Sequence, residues 1–134
     1  LGEESDGHAI WYTAPEYQIL DNDGPHIDNE LGVNGNRRAG SLYDMIPGDT
    51  ALYKGAMEWH TTEIISYEGT IAFKMDGKIT AEFHLWTPEW EEMVANSKFP
   101  GINPNFKDVP KTGYIALQDH GHAVWFRNIK IKEL

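Results

Sequence analysis

Residues 70–85, "TIAFKMDGKITAEFHL", constrain the fold of this chain more than any other stretch. Ile71, Phe73 and Met75 alternate along one arm, and Ile79, Ala81, Phe83 and Leu85 along the other. A period of two is the pattern of a strand with one buried face. Between the arms sit Asp76 and Gly77, a pair that accepts the left-handed backbone of a two-residue hairpin turn. The stretch predicts an antiparallel hairpin, and the rest of the chain must supply something for its apolar face to pack on.

Further strands are predicted around it. "EWHTTEIISYEG" (58–69) alternates and reads as a strand. After the break at Pro15, Glu16–Leu20 reads as another, with Glu16, Gln18 and Leu20 on one face and Tyr17, Ile19 and Asp21 on the other. Near the C-terminus, 114–118 and 124–132 read as a strand pair turned at "DHGH". Tyr114, Ala116, Gln118 and His120 would share the outward face, while Ile115 and Leu117 point to a core. One helix is expected over about 88–96. Thr87 is placed to cap it, Pro88 suits its first position, and Trp90, Met93 and Val94 recur at helical spacing. Residues 21–40 are rich in Gly, Asn and Asp and read as a long loop, the kind of segment that often carries function. Many short strands, Gly/Pro turns and one helix predict an all-β sandwich or barrel, mostly antiparallel.

At 134 residues the chain fits a single domain spanning 1–134. It has 21 acidic and 11 basic residues, a formal net charge of −10. That balance disfavours nucleic acid, which needs a basic stripe, and anionic membrane surfaces for the same reason. No apolar run is long enough to span a membrane as a helix. Cysteine is absent, which excludes disulfides and thiolate metal sites. Five tryptophans in so short a chain serve a core and also suit platforms for the apolar faces of sugars.

Two segments collect groups capable of proton transfer. Glu16 and Gln18 stand two residues apart on one predicted strand face, where a carboxylate and an amide both hydrogen-bond hydroxyls; a solvated strand face is the plainer alternative. In "LQDHGHAVWFR", Gln118 and His120 project together, Asp119 is placed to orient an imidazole or cap the turn, and Trp125 and Arg127 share a face of the return strand. That set suits a polyol or a carbonyl ligand. Tyr43 and Asp44, at the end of the long loop, are placed to border a pocket. Glu58, Trp59 and His60 read as structural, and the isolated His8, His26 and His84 receive no role. "DNDG" at 21–24 lacks the further oxygen ligands of a calcium loop, and "HGH" at 120–122 lacks a third ligand. No cofactor is expected, with a divalent metal the one alternative.

These segments carry a resemblance. "PEYQILDN", "AGSLYDMIP", "EWHTTEI", the "MDGK" hairpin and "TGYIALQDHGHAVWFRNIKIKEL" resemble, in the same order, the 3-keto-disaccharide hydrolase domain family, also designated DUF1080. The likeness runs from about His8 to the end. It implies a concanavalin A-like jelly-roll sandwich with a concave sugar-binding sheet. It also implies that this chain corresponds to the C-terminal larger part of that domain, since members of the family begin with further strands. A strand that often reads "HWLNG" in relatives reads "FKMDG" here, without the histidine and tryptophan. Relatives look secreted, periplasmic or lipid-anchored, and many come from Bacteroidota.

The implied chemistry is cleavage of a glycosidic bond in a disaccharide or glycoside that carries a 3-keto group. The ketone acidifies its neighbouring C–H, so elimination and hydration become available beside direct displacement. On this reading Glu16 and His120 transfer protons, Asp119 orients, and Gln18, Tyr43, Gln118, Trp125 and Arg127 hold the sugar. The implied partner is a carbohydrate; the sequence leaves the oligomeric state open. A non-catalytic carbohydrate-binding module on the same sandwich is the alternative, and a structural interaction domain a third reading.

Overall fold

The computed structural model describes residues 9–24 and 30–134. His8, His26 and the parts of the N-terminal and long-loop segments at 1–8 and 25–29 lie outside the described residues. Three strands form an antiparallel meander in the order β1-β2-β3, with β1 at Thr62–Tyr67, β2 at Thr70–Met75 and β3 at Lys78–His84. The predicted hairpin is β2–β3, and Asp76 (φ 49°) and Gly77 (φ 82°) make its turn. A second two-residue turn joins β1 to β2 through Glu68 (φ 46°) and Gly69 (φ 85°). Both turns place two left-handed residues in a row, the backbone whose twist matches the strands it connects. Gly69 is further constrained, because a Cβ there would lie 3.0 Å from the Trp86 ring.

Ile71, Phe73, Met75, Ala81 and Phe83 are buried on one side of the sheet. Phe73 pairs with Ala81 and Lys74 with Ile79, so Thr80 is the extra residue of a bulge. The helix α1, Pro88–Ala95, closes over this side. The Thr87 side chain accepts from the Trp90 backbone N–H at 3.2 Å, the cap the sequence predicts. Trp90 and Val94 are buried and Met93 half-buried. Trp90 stacks on Phe83 with centroids 5.6 Å apart, and its indole N–H donates to the Lys107 carbonyl at 2.8 Å. Phe99 and Phe106 stack at 3.8 Å beneath it. From the N-terminal side, Tyr17 stacks on Phe73 at 4.6 Å and donates its hydroxyl to the Lys74 carbonyl. No described helix is long and apolar enough to cross a membrane.

Two strand expectations are corrected. Glu16–Leu20 forms no full strand. It makes one antiparallel bridge, Tyr17 with Leu42, flanked by bonds from Gln18 N–H to the Ser41 carbonyl, Gly40 N–H to Gln18 and Tyr43 N–H to Glu16. Asp44 turns left-handed (φ 63°) directly after the bridge and ends the pairing. Ile19 is accordingly exposed, although alternation puts it on the inward face with Tyr17. The segments 114–118 and 124–132 form no ladder with a described strand, and Ile115 and Leu117, expected in a core, are 65% and 55% exposed. Alternation gives a segment strand propensity, but a strand exists only where an edge pairs with it. The turn between them does form: Gly121 is left-handed, and its N–H donates to the Asp119 carboxylate at 3.0 Å.

The β2–β3 turn is tied to the residues before β1. Asp76 accepts from the Thr61 N–H at 2.9 Å, pairs with Lys54 at 2.7 Å and meets His60 Nδ1 at 3.0 Å. His60 Nε2 accepts from the Lys54 N–H, so Nδ1 carries the proton that it gives Asp76. Lys54 and these hydrogen bonds hold the Asp76 carboxyl at about 2, below its ordinary 3.8. A carboxyl that ionises more easily folded than unfolded stabilises the fold above its unfolded pKa and loses that contribution as pH falls through the folded value. Asp76→Asn keeps the left-handed turn accessible. It should be less stable than wild type in urea unfolding near pH 7, with the gap closing as pH falls towards 2; a pH-independent gap would contradict the ion-pair account. Trp90→Ala removes the stack on Phe83 and a buried indole together and should cost about 3–5 kcal/mol, read from the shift in urea midpoint.

Candidate functional site

The bridge between Tyr17 and Leu42 places Glu16 and Tyr43 side by side, because the Tyr43 N–H donates to the Glu16 carbonyl at 3.0 Å. Glu16 is half-buried. Burial pushes its carboxyl pKa upwards, and the Lys98 and His120 charges pull it part of the way back, with the net shift still upwards. Glu16 and His120 are predicted as the proton-transfer pair from segments about a hundred residues apart, and the His120 charge is one of those that lower the Glu16 pKa.

Lys98 is the residue that the sequence does not single out. It follows α1, in "ANSKF", where nothing in composition or spacing distinguishes it. Its ammonium lies 3.1 Å from the Tyr43 hydroxyl and 4.3 Å from the Tyr43 ring centroid. Asp44 sets its position. The buried Asp44 carboxylate takes the Arg37 guanidinium on one oxygen, at 2.6 and 2.7 Å, and the Lys98 backbone N–H on the other, at 2.7 Å. The end of the long loop is thereby strapped to the end of the helix, and the Tyr43 ring has two cations near it, with Arg37 5.5 Å from its centroid. Asp44 and Tyr43, at the loop's end, are thus tied to the residue that follows the helix.

The other predicted residues disperse. Gln18 is half-buried beside Glu16, with its backbone committed to Gly40 and Ser41. Asp119 caps its own turn through Gly121, and no described contact has it orienting His120. Gln118 and Trp125 are exposed. The Arg127 guanidinium lies 3.9 Å from the Trp59 ring centroid, so Trp59, which reads from sequence as structural, shares a surface with a predicted sugar-binding residue. Among the described residues, no three His, Asp or Glu side chains converge as a metal set.

The arrangement brings together a carboxyl with a raised pKa, a phenol and an ammonium, with the His120 charge also acting on the carboxyl. The sequence profile of the 3-keto-alpha-glucoside-1,2-lyase-like domain family matches residues 3–132. A curated protein of Bacteroides thetaiotaomicron named 3-keto-disaccharide hydrolase is 41% identical over 133 residues, covering 93% of this chain and 46% of that protein. The chain thus spans about half the length of that relative. A crystal structure of a candidate glycosyl hydrolase from Parabacteroides distasonis superimposes with a TM-score of 0.61 at 22% identity, over 70% of this chain and 44% of that one. At that identity the likeness concerns the fold.

Because the Glu16 pKa is raised on folding, the folded state binds its proton more tightly than the unfolded state, and ionising it at neutral pH destabilises the fold. Glu16→Gln should therefore unfold at a higher temperature than wild type near pH 7, and the advantage should shrink as pH falls below the carboxylate range. A Glu16→Gln protein less stable than wild type at pH 7 would show the shift to be misassigned.

Proposed function

We propose a function on the premise that this chain belongs to the 3-keto-alpha-glucoside-1,2-lyase-like domain family, matched over nearly its whole length. The chain forms the proton-transfer part of a carbohydrate-active enzyme that cleaves the glycosidic bond of 3-keto-disaccharides or 3-keto-glycosides. We read residues 1–134 as one domain, the C-terminal larger part of a jelly-roll sandwich. The antiparallel meander and the open apolar surface at Ile64, Ile115 and Leu117 support that reading.

The observation that carries the proposal is the half-buried Glu16 with a raised pKa, under the influence of both His120 and Lys98. In a 3-keto-glycoside the C2–H is acidic and the glycosidic oxygen at C1 lies β to the ketone. His120, exposed and able to reach solvent, takes the C2 proton. The electron pair then expels the C1 oxygen, and Glu16, whose pKa burial raises, delivers a proton to the departing alkoxide. Water added at C1 completes a net hydrolysis. Gln18 stands beside Glu16 for a sugar hydroxyl.

The test is release of free sugar from 3-keto-trehalose and 3-keto-glucosides by the full-length protein. Glu16→Gln and His120→Ala should each lower kcat about 10²–10⁴-fold, the range of a single general acid or base. Undiminished rates in both would remove the assignment. Exposed Trp59 beneath Arg127, together with exposed Trp125, favours a second reading, a module that binds sugar without cleaving it. Binding of the keto-sugar that survives in both variants, with no turnover by the wild type, would select that reading.

A further inference from the structure

Resting on the reading above, we infer that Tyr43 and Lys98 form the recognition element for the ketone oxygen, so that the site selects oxidised sugars over their ordinary 3-hydroxy parents. The geometry fixes the direction of the hydrogen bond between them. An ammonium only donates, so at 3.1 Å the Tyr43 oxygen accepts from Lys98, and the phenol's own O–H is left to donate outward. A ketone accepts that O–H, and the ammonium behind it strengthens the phenol as a donor. Among the described residues no carboxylate lies within ion-pair distance of the Lys98 ammonium, whose nearest polar partner is the phenol, with Glu16 feeling its charge from further off.

The anchoring is more elaborate than an exposed lysine needs. Lys98 is exposed, yet its backbone is held by a buried carboxylate, and that carboxylate is itself held by Arg37. Its backbone N–H and its ammonium are each engaged by a partner far along the chain, 54 and 55 residues away. Such a donor costs little reorganisation at the moment charge appears, which is where a fixed dipole contributes most. Tyr43 also neighbours Glu16 across the chain bridge, so a sugar whose C1 oxygen meets Glu16 can present its C3 oxygen to the same side.

Atoms and electrons balance in the step this pair assists. As the C2–H proton passes to His120, its bonding pair becomes the C2–C3 double bond and the carbonyl π pair moves onto the C3 oxygen. The negative oxygen is met by the Tyr43 O–H, with Lys98 behind it. When the pair returns to re-form the ketone, the C1–O bond breaks and the leaving oxygen takes the Glu16 proton. No oxidant or reductant is consumed. Tyr43 touches the reacting oxygen, and Lys98 acts through Tyr43 as a positioning residue.

The experiment compares 3-keto-trehalose with trehalose on the full-length protein and on Tyr43→Phe, Lys98→Met and Lys98→Arg variants, by turnover and by calorimetric binding. Tyr43→Phe and Lys98→Met should each lower kcat on the keto-sugar about 10²-fold, as loss of one oxyanion donor does. KM should stay within about 3-fold, the pattern of an interaction made in the transition state. Both variants should lose the binding preference for the ketone over the alcohol, and Lys98→Arg should recover about 10-fold of the Lys98→Met loss, since the positive charge is kept. Full turnover and an intact ketone preference in Lys98→Met, alongside the losses in Glu16→Gln and His120→Ala, would overturn this inference and leave the proposed function standing. A wild type inert to the keto-sugar would overturn both. Should Tyr43→Phe fold poorly, the exposed Lys98 variants decide the matter alone.

Discussion

The structure depends on one continuous run of aromatic contacts. Tyr17 stacks on Phe73, Phe73 meets Phe83 edge-on at 5.4 Å, Phe83 stacks on Trp90, and Trp90 leans on Phe106, which stacks on Phe99. The run crosses the sheet, the helix and the loop after it. It also begins and ends one residue from the site: Glu16 precedes Tyr17, and Lys98 precedes Phe99. Burial of these rings contributes a large share of the apolar area in the fold and fixes the two ends against each other. The Glu16 carboxyl and the distant Lys98 ammonium are thus placed by the core, and their electrostatic coupling follows from packing.

The strap at Asp44 adds direction to that placement. Aromatic packing alone leaves the loop at 36–46 free to slide, since apolar contact is non-directional. Asp44 removes that freedom, because a carboxylate with both oxygens engaged has a defined orientation. The left-handed backbone at Asp44 is the cost of turning out of the bridge at the point where its carboxylate must face Arg37 and Lys98. The same ion pair that locks the loop holds Tyr43, one residue earlier, half-buried beside Glu16 across the bridge.

What is legible in the sequence divides along lines of locality. The β2–β3 hairpin, its Asp-Gly turn and the capped helix depend on residues within a few positions of one another, and each can be read directly. Strand pairing at 16–20 and at 114–132 depends on partners far away, and alternation says nothing about whether those partners are present. Glu16 and His120 stand out as candidates because their residue types are reactive and their neighbours polar. Lys98 does not, because an exposed lysine after a helix is ordinary until the fold sets it above Tyr43. Alternation gives Arg127 to the sugar on the strength of a shared face with Trp125, yet it lies on Trp59, a residue far earlier in the chain.

The two groups proposed for proton transfer, Glu16 and His120, are held very differently. Glu16 sits against the core through Tyr17 and a bridge. His120 lies at a turn whose flanking residues are exposed and make no described ladder, so few contacts fix its imidazole. β1 shows the same openness: Ile64 lies opposite Phe73 in the sheet, on its core-facing side, and is 54% exposed. The Glu16 carboxyl, the Tyr43 phenol and the Lys98 ammonium are positioned by the bridge, the Asp44 strap and the core, whereas the His120 imidazole is positioned by how the 113–134 segment is held.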